Sequence, residues 1–447
     1  MKMKVFKIGL FLFLLSGSSQ MWSQVEPSAT GGVYDPDSQT RMMMPPPVSG
    51  QSFPTTVGSQ ERSNYFSGGM AFTAAYIDNL LDAQSPTPVS DETYAAFPNV
   101  SIQRKTARQI QSLGYRAGYV FYQHTSDLNN FTQDADADYV LRMTKYSAIS
   151  FHDSFNQNSN SFNNPNPPGG TAVSGSPQSP IPGILVPFQS QLSNAVRGDV
   201  AVQYARNAMI GGGGNYSFLH YGDNSTAQLI NDSDTTGGSA FYNRRIGQRN
   251  YLGAIYSYSR FNTHPLNSTI DTHAILGFYT IFLNRTVSIS VSGGPQHFKS
   301  SQPPYPSSSD WTPAGGASVG WQTQRVNLAA SYMRLVTTGG GLVGAFYTNT
   351  ADLSLQWLLA ETWSIRGDGH YYNYRSATPV YTPLNQGGHT LFGIISLQHK
   401  ITESLTAELG YGNFDQSYSA ITSLSNNANS NRVYGSINYQ FSRSLGR

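Results

Sequence analysis

The chain has 447 residues, of which only 12% are charged, about half the ~25% usual for soluble domains. Its 27 Lys and Arg nearly balance 25 Asp and Glu, for a formal net charge of +2. That balance removes the electrostatic footprint nucleic-acid binding needs, and the absence of Cys excludes a disulfide framework, a thiol nucleophile and a zinc–thiolate centre. Aromatics reach 13%, too many for a disordered chain. The mean hydropathy of −0.35 looks soluble, yet so few charges would solvate a soluble surface poorly.

Met1 to Gln24 reads as a secretory signal peptide. Lys2, Lys4 and Lys7 precede the apolar run Ile8 to Leu15, and the small residues Gly17, Ser19 and Ser23 follow. The run is shorter than the ~20 residues a spanning helix requires. An uncleaved anchor is the alternative. No Cys follows that would take a lipid, and no later stretch is apolar for the length of a spanning helix. Residues 25–68 are polar, rich in turn-formers and without period, including Met42-Met43-Met44-Pro45-Pro46-Pro47. They read as a flexible N-terminal tail, with a pore plug or a contact to another envelope protein as the functional alternatives.

From Gly69 onward, segments of about ten residues alternate apolar and polar side chains. The last is typical: Val433, Ile437, Tyr439 and Phe441 share one face, and Ser436, Asn438 and Gln440 the other. Leu353, Leu355 and Trp357 alternate with Asp352, Ser354 and Gln356, and Val287, Ile289 and Val291 with Ser288, Ser290 and Ser292. A helix would show a 3.6 period, which is missing. One strand near 69–78, eight hairpin pairs and a last strand near 431–441 give about 18 strands, with 16 as the alternative count. Short turns, as at Thr144-Lys145 and Leu283-Asn284-Arg285, alternate with longer stretches such as 123–134, 262–269, 299–311, 374–387 and 415–430.

A soluble sandwich has no reason to place its short turns at one end, whereas a membrane barrel has one. The fold class is therefore all-β: a transmembrane antiparallel up-and-down β-barrel over 69–441, followed by a short C-terminal tail, 442–447. A sheet spans lipid only when closed. Tyr119, Phe121, Tyr256, Tyr258, Trp321, Trp357, Trp363, Tyr371 and Tyr439 fall where interfacial girdles belong. In these features the chain resembles outer-membrane β-barrel proteins of bacteria, of porin-like size. The resemblance implies an outer-membrane location and contact with outer-membrane lipid. It also implies an assembly signal for the barrel-assembly machinery, matched here by Tyr439 and Phe441. The six residues after Phe441 depart from that pattern. Homo-oligomeric assembly is a further implication that no segment of the sequence demonstrates.

With the apolar parity outside, Arg116, Asp136, Asp138, Arg142, Arg366, Asp368, His370 and Glu408 are the pore-lining candidates. They either orient solutes or simply pair within the lumen. The uncharged segment from about Asn156 to Val196 is the third outer loop. By resemblance it is the candidate constriction, with Ile181 to Phe188 its apolar piece, and a plain surface loop is the alternative. No catalytic set, cofactor site or metal site is expected. The nine His show no HExxH-type spacing, and Gly211–Gly214 and Gly339–Gly341 lack the following Gly-Lys-Ser/Thr of a phosphate loop. His152-Asp153-Ser154 cannot converge as neighbours on a strand. The expected function is a passive diffusion channel for small hydrophilic solutes. A non-conducting surface barrel for adhesion or scaffolding is the alternative, and a barrel enzyme acting on lipid or peptide a more distant one.

Overall fold

The structure, a computed structural model, describes residues 64–80, 88–106, 108–158, 191–222, 231–264, 268–284, 286–303, 306–338, 344–377, 387–418 and 428–445. Among these the chain forms eighteen strands: β1 (Tyr65–Ile77), β2 (Asp91–Lys105), β3 (Gln109–Tyr122), β4 (Asn130–Thr144), β5 (Ser147–Asn158) and β6 (Gln191–Ala205). Next come β7 (Ala208–Tyr221), β8 (Asp232–Arg245), β9 (Asn250–His264), β10 (Ser268–Phe282), β11 (Val287–Ser301) and β12 (Ser308–Gln322). The last six are β13 (Val326–Thr338), β14 (Ala345–Leu358), β15 (Trp363–Ser376), β16 (Gly387–Lys400), β17 (Leu405–Tyr418) and β18 (Ala428–Ser444). Each strand pairs antiparallel with its sequence neighbours, and β18 closes on β1 from Tyr65↔Ser444 to Ile77↔Arg432. The wall is a closed 18-stranded barrel.

The period-2 signal becomes two faces. On β10, Ser268, Ile270, Thr272, Ala274, Leu276, Phe278 and Thr280 are buried, while Ile275 and Tyr279 stand exposed on the other side. Carried through the registers, the exposed face holds Leu113, Val200, Leu252, Val291, Val319, Leu353, Ile395, Leu409 and Ile437. So much exposed aliphatic surface on a monomer marks contact with an apolar phase. Trp321, Trp357, Trp363 and Tyr439 ring this face at the short-turn end, and Tyr94, Tyr119, Tyr256 and Trp311 ring it at the other. Trp311 and Trp321 lie on one strand, and ten residues of tilted strand span roughly 25 Å, the height of a lipid-facing band.

Local chemistry sets the short turns. Asn284 Oδ1 accepts the N–H groups of Thr286 and Val287 at 2.8 and 2.7 Å, and Thr323 Oγ1 accepts that of Val326 at 2.9 Å. Such side chains mimic a backbone turn. Gly247, in the β8–β9 turn, has φ 122°, a conformation other residues seldom adopt.

Strand limits differ from the sequence expectation at both ends of the wall. At the turn end Tyr65 to Gly68 belong to β1 rather than to the N-terminal tail and β18 runs on to Ser444, while at the loop end β2, β6 and β8 start at Asp91, Gln191 and Asp232, where the alternation predicts starts near 97, 199 and 237. The β9–β10 connection, between His264 and Ser268, is as short as the turns at the opposite end. The signal peptide and most of the tail lie outside the described residues, as do positions 159–190, the bulk of the third outer loop.

At one place the wall parts, between the loop ends of β12 and β13, while β14 stays paired with β15 from Phe346↔Ser376 to Leu358↔Ser364. β11 and β12 pair along their length, from Val287↔Trp321 to Ser300↔Ser308. β12 and β13 pair only from Gly315↔Arg334 to Gln322↔Asn327. Beyond Arg334, β13 stays with β14, down to Thr338↔Ala345, and turns inward. There Val336 and Ala345 pack on Ile270 of β10 and Phe298 of β11. The Gln296 amide closes the contact, donating to Val336 C=O at 3.1 Å and accepting Val336 N–H at 2.8 Å.

Candidate functional site in the barrel interior

The sequence-derived candidates all stand on the parity opposite the exposed apolar residues, and they gather in two groups. The first lies on β3–β6. Arg116 donates to Asp134 Oδ1 at 3.0 Å. Asp136 stands opposite Ser154, and Asp138 opposite His152, whose Nδ1 is 2.7 Å from Asp138 Oδ1. His152 in turn stands opposite Arg197, which donates to Asp199 Oδ1 at 2.8 Å. Arg142 is on the same face but near the β4–β5 turn, next to a shift of register, and apart from this cluster.

The second group lies on β14–β18. Arg366 donates to Asp368 Oδ2 at 3.0 Å. His370 is almost buried, with Nδ1 2.8 Å from Asp352 Oδ1 and its ring stacked on Phe392. Glu408 accepts from Tyr434 Oη at 2.7 Å and from Gln398 Nε2 at 3.2 Å. The buried Arg432 lies over the Tyr434 ring. Strands β1 and β2 separate the two groups on one side and β7–β13 on the other.

Sequence reasoning missed Asp134, His152, Arg197, Asp199 and Asp352 as members of these groups. The signal was present for one pair: Arg197 and Asp199 have the same two-residue spacing as Arg366 and Asp368. It also missed apolar inner patches. At the loop end, Ile77, Leu80, Val120, Tyr122, Phe392 and Phe414 form a buried cluster. On β9–β11 the inward Phe261, Ile270 and Phe298 lie under the turned-in end of β13. The inner wall is thus a charged arc flanked by less polar surface, not polar throughout.

His152 and Ser154 share the inward face, while Asp153 points outward and accepts from Asn194 at 2.7 Å. The composition of a triad is therefore split across the wall. Among the described residues no group of three His, Asp or Glu side chains converges as a metal site. Tyr439 and Phe441 face outward at the closing seam, opposite Met70 and Gly68.

Closed, antiparallel, apolar on its exposed face and charged within, the wall has the architecture of a transmembrane β-barrel. No family model and no curated protein matches the chain. Among solved structures it is similar to the FrpB iron transporter from Neisseria meningitidis (F5-1 variant), with TM-score 0.42 and 8% identity over 85% of this chain and 83% of that one. It is similar to Acinetobacter baumannii OccAB4, with TM-score 0.42 and 7% identity over 86% and 99%. A third similarity is to the ferric citrate transporter FecA in its unliganded form, with TM-score 0.43 and 10% identity over 81% and 61%.

Proposed function

We propose that this barrel sits in the bacterial outer membrane and lets small hydrophilic solutes cross by passive diffusion. The observation that carries the reading is the inner charged arc on β3–β6, where Arg116 with Asp134 and Asp138 with His152 pair across strands, and Arg197 with Asp199 along one, on strands whose other face is apolar. Barrels of 16–18 strands enclose an aqueous channel rather than a filled core. Charges of both signs around such a lumen act on dipolar and ionic solutes without committing to one sign. Export by the N-terminal signal and delivery through the assembly signal at Tyr439 and Phe441 belong to the same reading, which assigns no catalytic step or cofactor.

The test is single-channel recording of refolded protein in a planar bilayer. Step-like openings of steady size support the channel. A bilayer that stays silent through repeated insertions sinks it and leaves the non-conducting surface barrel. Phospholipase and protease assays on the same sample, with His370→Ala and His152→Ala beside them, address the enzyme alternative.

A further inference from the structure

We propose that the end of β13 past Arg334, carried by β14, which stays bonded to β15, is a gate with two seats, one against the inner wall, where it lies in this structure, and one in the wall along β12. The proposal rests on the channel reading above and adds to it the element that opens and closes the pore.

The inner seat is built from several contacts. Val336 and Ala345 are buried against Ile270 and Phe298. Tyr347 meets the Phe298 ring edge-on at 6.3 Å. Met333 packs on Phe278 of β10, with Leu335 and Ile255 beside them. Gln296 holds both backbone groups of Val336. Without this strand end, Phe261, Ile270 and Phe298 would face the lumen as an apolar patch.

Among the described residues, nothing fills the wall seat. From Ser308 to Ala314 the backbone of β12 pairs with β11 and has no partner on β13. Continuing the register past Gly315↔Arg334 would set Val336 opposite Pro313 and Thr338 opposite Trp311. Trp311, at the edge of that stretch, is 64% exposed, above every other large hydrophobic side chain among the described residues.

Proline explains why the wall seat is the weaker one. Pro295 and Pro313 face each other across β11 and β12, and neither has an N–H to give. Facing residues that exchange no hydrogen bonds turn their backbone groups to the far neighbours, so Pro313 presents its donorless nitrogen to β13. In the wall seat, Val336 C=O would find no donor there, whereas in the inner seat it finds Gln296. Glycines let the strands bend at this level: a Cβ on Gly316 would lie 2.4 Å from Tyr332 O, and one on Gly315 2.5 Å from Ser292 O. The strand end is thus held inward by one amide side chain and an apolar patch, beside an edge that fits it imperfectly.

The chain has no Cys, so an introduced pair reports the seat cleanly. In the inner seat Thr338 is buried behind the wall while Trp311 projects outward. In the wall seat both would project outward, side by side. The experiment treats Trp311→Cys/Thr338→Cys with a short bismaleimide, with and without Gln296→Leu. Compact folding is checked by gel shift on heating, and conductance is recorded before and after linking. We expect the link to form, to form faster with Gln296→Leu, and to raise the conductance step several-fold. Failure to link in either background overturns the exchange of seats. Linking with an unchanged step overturns the gate. If every form is silent in the bilayer, the channel reading and its gate fall together, and the link yield alone then upholds or overturns the movement of the strand.

Discussion

The carboxylate of Asp138 and the imidazole of His152 stand opposite each other on the inner faces of β4 and β5, Oδ1 to Nδ1 at 2.7 Å. His152 lies in turn beside Arg197. Asp138 is therefore the acidic end of a row that runs through His152 to the Arg197–Asp199 ion pair. In a watery lumen a unit charge at ~4 Å is worth about 1 kcal/mol. Replacing Asp138 with Asn keeps the shape and an acceptor for the imidazole but removes the charge. By the same arithmetic, the cation-to-anion permeability ratio should fall by up to roughly fivefold. Reversal potential across a KCl gradient measures it, and an unchanged potential would remove this row from the conducting path.

The two faces of β14 predict opposite outcomes for one chemical change. Leu353 is half exposed on the outer face, four residues above Trp357, or about 10 Å into the apolar band at the strand rise. Leu353→Lys should destabilise the folded barrel by ~2–4 kcal/mol, the usual cost of a cation near the bilayer midplane. Ser354 is its neighbour on the inner face, paired in register with Asp368. Ser354→Lys should fold with little loss. Urea titration of folding into liposomes compares the pair. Equal losses would contradict the assignment of faces.

These faces were legible in the sequence because lipid on one side and water on the other impose a strict period of two. The loop-end extensions were not, because that constraint ends at the membrane interface. The hydrogen-bonded ladder of β6 continues from Val200 up to Gln191, and that of β8 from Ala240 up to Asp232. Beyond the membrane both faces of a strand meet polar surroundings, so Gln191–Asn194 and Asp232–Thr236 carry no alternation to read. The charged arc was half legible for a related reason. Parity places Asp136, Asp138 and Arg116 inward, but which strand's Asp meets which Arg depends on register, and period two leaves register free in steps of two residues. The inward end of β13 left no periodic trace. Its causes are the proline pair and the single Gln296, which look like ordinary strand residues until the registers are set side by side.

Asp91 ties the β3–β4 loop to the start of β2. Its side chain is fully buried and accepts the N–H groups of His124 and Thr125 at 3.0 and 2.9 Å and the Thr125 hydroxyl at 2.5 Å. The Glu92 N–H also bonds it at 2.7 Å, so removing the carboxylate strands four donors. Hydrogen bonds to a charged group are worth ~1.5–3 kcal/mol each, and part of the loss is recovered by water. Asp91→Ala should therefore cost ~2–4 kcal/mol and make the segment after Tyr122 a preferred site of limited proteolysis. The temperature at which the compact gel form disappears, read beside the cleavage pattern, tests it. A variant as heat-stable and protease-resistant as the parent would show that the loop is held by other contacts.

The closing seam sets the last test. Gly68 and Phe441 are direct partners across β1 and β18, and a Cβ on Gly68 would lie 2.8 Å from Phe441 Cζ. Phe66 flanks the same ring at a centroid distance of 6.0 Å. The glycine thus gives the terminal aromatic a flat place to lie against the first strand, and a side chain there must push the ring away. Overpacking of this kind costs ~1–3 kcal/mol in a filled site, and at this seam the cost falls on the one pairing that joins the two ends of the sheet. Gly68→Val should lower the yield of the heat-modifiable barrel, and Gly68→Val/Phe441→Leu, which makes room again, should recover part of it. If the single variant closes as efficiently as the parent, the ring has another place to go and the seam does not depend on this contact.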